Sequence, residues 1–280
     1  MKKSLLCGFA GVAIVVAGSA SAADIGAPPA YKASPAITPI VFSWMGCYVG
    51  GHVGYGSGRN NWLPAGIISD TADTSTALEF DETDVNTTGP VVGAQLGCDY
   101  QFAGRWVIGV QGSFSGAHID GTGFEQDVFP TAPQPDTVFE SFYSKTDWIA
   151  SITGRLGFAP WSPQTLIYAK GGVAFAHNRH IFTEVETLPP IGGTPDNGIQ
   201  TATDTRIGWT AGMGFEWAFA PNWSVWVEAN HYGFGAKTLA FSPNEFLHPE
   251  FERIRQRIEV VTFGVNYRFN FGKAPVVARY

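Results

Sequence analysis

Chemistry in this chain would have to come from its histidines, its three cysteines (Cys7 in the N-terminal apolar stretch, Cys47 and Cys98), an acidic run, or charges set among alternating residues. The six histidines are His52, His118, His177, His180, His231 and His248. Only His177 and His180 lie close together. If a strand ran through both, residues three apart would point to opposite faces and could not ligate one ion. Solvated loop histidines are the simpler reading. Asp70, Asp73, Glu79, Asp81, Glu82 and Asp84 form an acidic run. Carboxylates there could take Ca²⁺ or Mg²⁺, but no EF-hand spacing is present and a solvated loop explains them as well. Gly54-x-Gly56-x-Gly58 precedes no helix, so it is not a phosphate loop. There is no nucleophile elbow, triad context, CxxC or zinc-ligand spacing. The sequence therefore indicates no enzyme and no cofactor.

The elements that must carry these residues are strands. In residues 261–271, Val261, Phe263, Val265, Tyr267, Phe269 and Phe271 alternate with Thr262, Gly264, Asn266, Arg268 and Asn270. Successive strand side chains point to opposite faces, so one face is apolar and the other polar or small. The length suits a tilted strand that crosses a bilayer. Similar alternation appears at about 44–56, 90–102, 106–115, 146–158, 165–178, 206–219 and 223–232. Ile149 interrupts the polar set of its stretch. Residues 103–105, 159–164 and 220–222 read as tight turns. Residues 59–89, 116–145, 179–205 and 233–255 read as long loops. The predicted fold is all-β: an eight-stranded antiparallel up-and-down transmembrane β-barrel with short periplasmic turns and long outer loops.

The flanks fit export. Lys2 and Lys3, an apolar stretch over residues 5–17, and Ala20-Ser21-Ala22 read as a signal peptide over 1–22. Residues 23–43 read as a Pro/Ala-rich periplasmic lead, 44–272 as the barrel and 273–280 as a tail. Loss of Lys2 and Lys3 takes the net charge from −7 to −9, a poor balance for binding nucleic acid.

A soluble barrel hides its apolar face inside. Here that face holds nearly all the large residues, too many for an eight-stranded bore, so it must face lipid. The polar face then places Asp99, Asp147, Glu216 and Glu228 inside with Arg155, Lys170, Arg206 and Arg268. Isolated charges in a narrow interior are costly, so a paired network that plugs the lumen is expected. Trp44, Trp106, Trp148, Tyr267, Phe269 and Phe271 fit interfacial girdles. Cys47 and Cys98 fall outward on neighbouring strands near the periplasmic ends. They are either a cross-strand disulfide, in an oxidising compartment, or two small lipid-facing residues.

These stretches resemble a known family. Trp44-x-Gly46-x-Tyr48-Val49-Gly50-Gly51-His52-Val53-Gly54-Tyr55-Gly56 looks like the first strand of the alphaproteobacterial small outer-membrane barrels, the opacity-type surface antigens. These are also called porin-family or hemin-binding proteins. Thr153-Gly154-Arg155-Leu156-Gly157-Phe158-Ala159, Tyr168-Ala169-x-Gly171-Gly172-Val173-Ala174-Phe175 and Asn266-Tyr267-Arg268-Phe269 are similar to its later strands. Thr262, Gly264, Tyr267, Phe269 and Phe271 resemble the sorting signal on a barrel-closing strand. Cys47 stands where the family has an aromatic residue, and the chain continues past Gly272. The resemblance implies the bacterial outer membrane, with outer-membrane lipid, lipopolysaccharide and the barrel assembly machinery as partners. It implies a non-enzymatic role in envelope integrity and surface interaction. The alternatives are a narrow channel for small solutes and loop capture of hemin or another ligand.

Overall fold

The computed structural model describes residues 42–67, 83–129, 136–187, 198–241 and 250–269. The expected signal peptide, most of the lead, and Phe271 with the tail lie outside these residues. Eight strands follow one another: β1 (Gly46–Ile67), β2 (Thr83–Phe102), β3 (Trp106–Phe129), β4 (Asp136–Phe158), β5 (Thr165–Thr187), β6 (Gly198–Ala220), β7 (Trp223–Ala240) and β8 (Glu250–Phe269). Each pairs antiparallel with its neighbour. β1 also pairs with β8, in a register such as Val49↔Tyr267 and Tyr55↔Val261, so the sheet closes on itself. Through the apolar band each strand is paired on both sides, so no edge is left open, which hydrocarbon requires. Gly104 adopts a positive φ of 74° in the tight turn between β2 and β3.

The alternation has the expected sense through the lower part of the ring. Val92, Leu96, Val110, Ile152, Ile207 and Met213 are exposed outward, Ile207 to 70%. Gln95, Gln111, Arg155, Lys170, Glu216 and Arg268 are buried inward. The outward apolar band ends near Tyr55 and Val261 on one side and near Ile207 on β6.

Two corrections follow. First, the ladders continue well into the regions read as long loops. Thr201, Thr203 and Thr205 on β6 face outward, and Gln200, Ala202 and Asp204 face inward. The pleat is unbroken, but threonines now replace the apolar residues on the outer face of β6, with Ile199 beyond them still exposed. The inside holds Trp62, Val85, Phe142, Phe182, Leu239, Phe241 and Ile254 as one buried cluster. The same strand thus reverses its polarity where it leaves the apolar band, and a reading tuned to lipid-facing residues stops there. At about 3.3 Å per residue and a tilt of roughly 40°, a strand as long as β6 rises about 60 Å, some twice the apolar band of a membrane barrel.

Second, β4 carries a register shift between Thr146 and Trp148. A bulge places one extra residue out of the alternation. Below it, Ile149 points inward and is buried with Val91, Ile119, Tyr232 and Ile258. Asp147 is the residue the ladder skips. It lies outside the bore beside Lys145 at 3.3 Å, both partly exposed, so it is not a member of the interior charge set.

Candidate functional site: the filled bore

Near the periplasmic end, four charged side chains share one layer. Arg155 on β4 lies 3.0 Å from Asp99 Oδ1 through Nε, and its Nη2 donates to Asp99 Oδ2 and Glu216 Oε2, each at 3.0 Å. Arg268 on β8 donates through Nη1 to Asp99 Oδ2 at 2.9 Å, and its Nη2 lies 3.6 Å from Glu216 Oε1. All four side chains are essentially inaccessible to solvent. Two acids from β2 and β6 therefore meet two bases from β4 and β8 at zero net charge. Ser224 and Asn266 donate to Glu216 at 2.6 and 3.0 Å, and Arg155 donates to the Tyr48 hydroxyl at 3.1 Å. Hydrogen bonds of this kind offset part of the desolvation cost of such a buried set.

Lys170 and Glu228 form a second ion pair just above. Tyr168 donates to Glu228 at 2.6 Å while its ring lies 4.5 Å from the Arg155 guanidinium carbon, which links the two layers. Large rings fit this narrow bore because each faces a cross-strand glycine. Tyr48 pairs with Gly97, Tyr168 with Gly214 and Trp226 with Gly264. A Cβ on Gly214 would strike the Tyr168 ring, and one on Gly264 the Trp226 ring. Trp226 completes the layer by donating to Asn266 at 3.1 Å. A cavity of about 10 Å³ remains among His52, Gln95, Lys170, Trp226 and Glu228, room for a single water.

The bore is also closed above and below. Trp44 is fully buried at the periplasmic end rather than in a girdle. Its amide donates to Gln101 at 2.7 Å, its carbonyl accepts from Arg268 at 2.6 Å, and its ring lies 5.1 Å from that guanidinium. Trp44 is thus held in the barrel mouth because Arg268 offers its carbonyl a donor and its ring a cation. Toward the outside, Arg206 sits apart from the other bases and pairs with Asp204 at 2.8 Å. Asp204 fell in a predicted loop and was missed. Its position two residues from Arg206, on the same face of a continuing strand, was the available signal. Burial would raise the Asp204 carboxyl, but the His180 contact and the Arg206 charge outweigh it and hold the group at about 2. Burial pushes the His180 imidazole down.

A model of the outer membrane protein beta-barrel domain matches residues 10–269. The chain belongs to this family. It is 28% identical over 265 residues to the 31 kDa outer-membrane immunogenic protein of Brucella melitensis, covering 93% of this chain and 98% of the relative. An uncharacterized protein of Coxiella burnetii is 28% identical over 197 residues, 67% of this chain and 73% of that one. Among solved structures, Ail of Yersinia pestis in complex with the heparin analogue sucrose octasulfate aligns with a TM-score of 0.33 and 14% identity, over 80% of this chain and all of that one. OprG of Pseudomonas aeruginosa aligns at 0.41 and 9%, over 81% and 99%. The protein is thus a bacterial outer-membrane barrel, and its outward apolar band faces lipid.

The remaining candidates take their places on this outer-membrane barrel. Cys47 and Cys98 are cross-strand partners on the lipid side and are joined as a disulfide. His177 faces outward, stacked on Trp148 with ring centroids 5.9 Å apart. His180 is fully buried inside against Ser144 and Trp62. The two imidazoles therefore sit on opposite sides of the wall and cannot hold one iron. Of the acidic run only Asp84 lies among the described residues, accepting a hydrogen bond from Asn61; the others lie outside them. On β8, Thr262 is buried inward, Gly264 lies under Trp226, and Tyr267 and Phe269 pack edge to face at the periplasmic end of the outer wall, 5.1 Å apart.

Proposed function

We propose that this outer-membrane barrel is a closed wall element, non-enzymatic, that supports the envelope and presents a surface to the outside. One observation carries this reading: the bore is crossed by the buried layer of Asp99, Arg155, Glu216 and Arg268, with apolar layers above it and Trp44 beneath. A solute path would have to break paired charges in a water-poor interior. The name of the Brucella relative, an immunogenic outer-membrane protein, accords with a chain exposed to the exterior. The test is planar-bilayer conductance of the purified, refolded protein. A flat baseline is the expected result, and stable single-channel steps would replace this reading with the narrow channel. Hemin titration of the same sample should leave the absorbance of the dye unchanged; a shifted band would point to capture by the outer hairpins.

A further inference from the structure

The outer wall carries a cluster of arginines that the filled bore does not explain. Arg253, Arg255 and Arg257 alternate on β8 with buried Ile254, Gln256 and Ile258, so all three point outward. On β1 the partner of Arg257 is Arg59, that of Arg255 is Asn61, and that of Arg253 is Leu63. On β7 the partners are Gly233, Ala236 and Thr238. Among the described residues, no carboxylate is the cross-strand partner of these guanidinium groups. The nearest acids are engaged elsewhere: Glu259 with His231, and Asp84 with Asn61. Arg59 reaches only Asn86, at 3.4 Å. Among the described residues, Arg253, Arg255 and Arg257 form no ion pair.

Like charges directly opposite each other across a ladder are destabilising. Among the described residues the Arg59–Arg257 pair has no ion-pair partner, on a chain whose overall charge is negative. Its height matters. Directly below on the same two strands come Ser57 and Glu259, then Tyr55 and Val261, which begin the apolar band. Arg257 lies four residues above Val261, roughly 10 Å above the band after allowing for tilt. That is the level of lipid headgroups in the outer leaflet.

We propose that this β8–β1 wall binds the phosphoryl groups of a phosphorylated glycolipid in the outer leaflet. A phosphate set between Arg59 and Arg257 would accept charge-assisted, forked hydrogen bonds from both. A second phosphate on the same headgroup would reach Arg255 or Arg253, one alternation further up. A lipid is favoured over a soluble polyanion because the patch faces sideways at headgroup height. A soluble chain would also have to approach an acidic protein through that lipid layer. The proposal rests on the outer-membrane placement and supplies a partner for the envelope role.

The test is titration of the refolded barrel in zwitterionic micelles with bisphosphorylated lipid A and with its dephosphorylated form. The wild type should bind the phosphorylated form at least about tenfold more tightly. The variant R59Q/R255Q/R257Q should lose roughly fivefold per arginine removed, while R105Q, in a turn at the periplasmic end, should bind as the wild type does. Retained resistance to heat unfolding in sodium dodecyl sulfate shows that each variant is folded. R257Q alone supplies the answer should the triple variant fail to fold. Equal affinity of a folded variant and the wild type overturns the proposal, as does indifference to dephosphorylation. So does a heparin oligosaccharide that competes as strongly as the lipid, since the patch would then serve a soluble polyanion. Failure of the closed-wall reading would appear separately, as conductance, with glycolipid affinity unchanged.

Discussion

Replacing Arg155 by methionine keeps most of the side-chain volume and removes the charge. In the structure that guanidinium meets Asp99 twice and Glu216 once, each at 3.0 Å, in a place closed to solvent. With charge centres about 4 Å apart and an effective dielectric constant near 20, each carboxylate contributes about 4 kcal/mol of attraction. Repulsion from Arg268, which shares the same carboxylates, and several kcal/mol of desolvation oppose it. The net cost of deletion should be about 3–5 kcal/mol, the range for removing one partner of a buried pair. R155M would leave Asp99 and Glu216 with Arg268 alone, one negative charge in excess. D99N in the same chain restores balance, so the double variant should recover at least about 1.5 kcal/mol relative to the sum of the single changes. Urea titration in lipid vesicles, followed by tryptophan fluorescence, measures all three. Bilayer conductance should rise for R155M and fall back for R155M/D99N. A folded R155M as stable as wild type, or strict additivity in the double variant, would show that these residues do not act as one set.

Reducing and non-reducing mass measurement of the purified protein should differ by the two hydrogens of a Cys47–Cys98 bond. C47S/C98S should lose up to about 4 kcal/mol, the loop-closure value for residues that far apart in sequence, and a pair of free thiols in the native protein refutes the bond. G214A sets a methyl group against the Tyr168 ring, so it should cost about 1–3 kcal/mol as an overpacked site; a neutral effect on urea stability would mean the ring has room to move. Acidification should loosen the outer collar of β5 and β6. Asp204 is held at about 2 against an ordinary 3.8, so its contribution is complete above about pH 4 and lost as pH falls through 2. His180 is held below 6.5 by burial, so its contribution is present above that value and also lost as pH falls. Protection of the amides at the outer ends of these strands, taken relative to the intrinsic exchange rate at each pH, should fall from pH 7 to 3, and unchanged or rising protection would reverse the argument.

The membrane half of the molecule was open to a reader of residues because lipid and bore impose opposite demands on alternate positions. Residues 206–219 and 261–271 satisfy both without interruption. The outer half was hidden for the same reason. Once the wall stands in water, Trp62, Phe142, Phe182 and Ile254 belong inside and threonines belong outside, so a pattern of apolar residues facing out no longer marks a strand. The charge layer was readable by parity at Asp99, Arg155, Glu216 and Arg268. Asp147 defied parity because a bulge lies beside it, and no residue type in Lys145-Thr146-Asp147-Trp148 announces one. Trp44 resembled a girdle residue because its type suits both an interface and a cap. What separates the two is the hydrogen bond from the Arg268 guanidinium to the Trp44 carbonyl, which joins positions 224 apart in sequence. The arginine wall required the register between β1 and β8, since Arg59 and Arg257 become neighbours only when the ring closes.

The reversal of polarity partway up the strands has a consequence for what outsiders meet. Roughly half of each long strand rises above the hydrocarbon as pleated wall, so the described outer ends of β4, β5 and β6 stand some 30 Å clear of the apolar band. Antibodies, phages or host molecules approaching from the side would touch pleated, folded backbone, and their footprints would be assembled from several strands. Antibodies raised against the folded protein should therefore bind the boiled protein weakly, and a linear peptide copied from one strand should compete with them little.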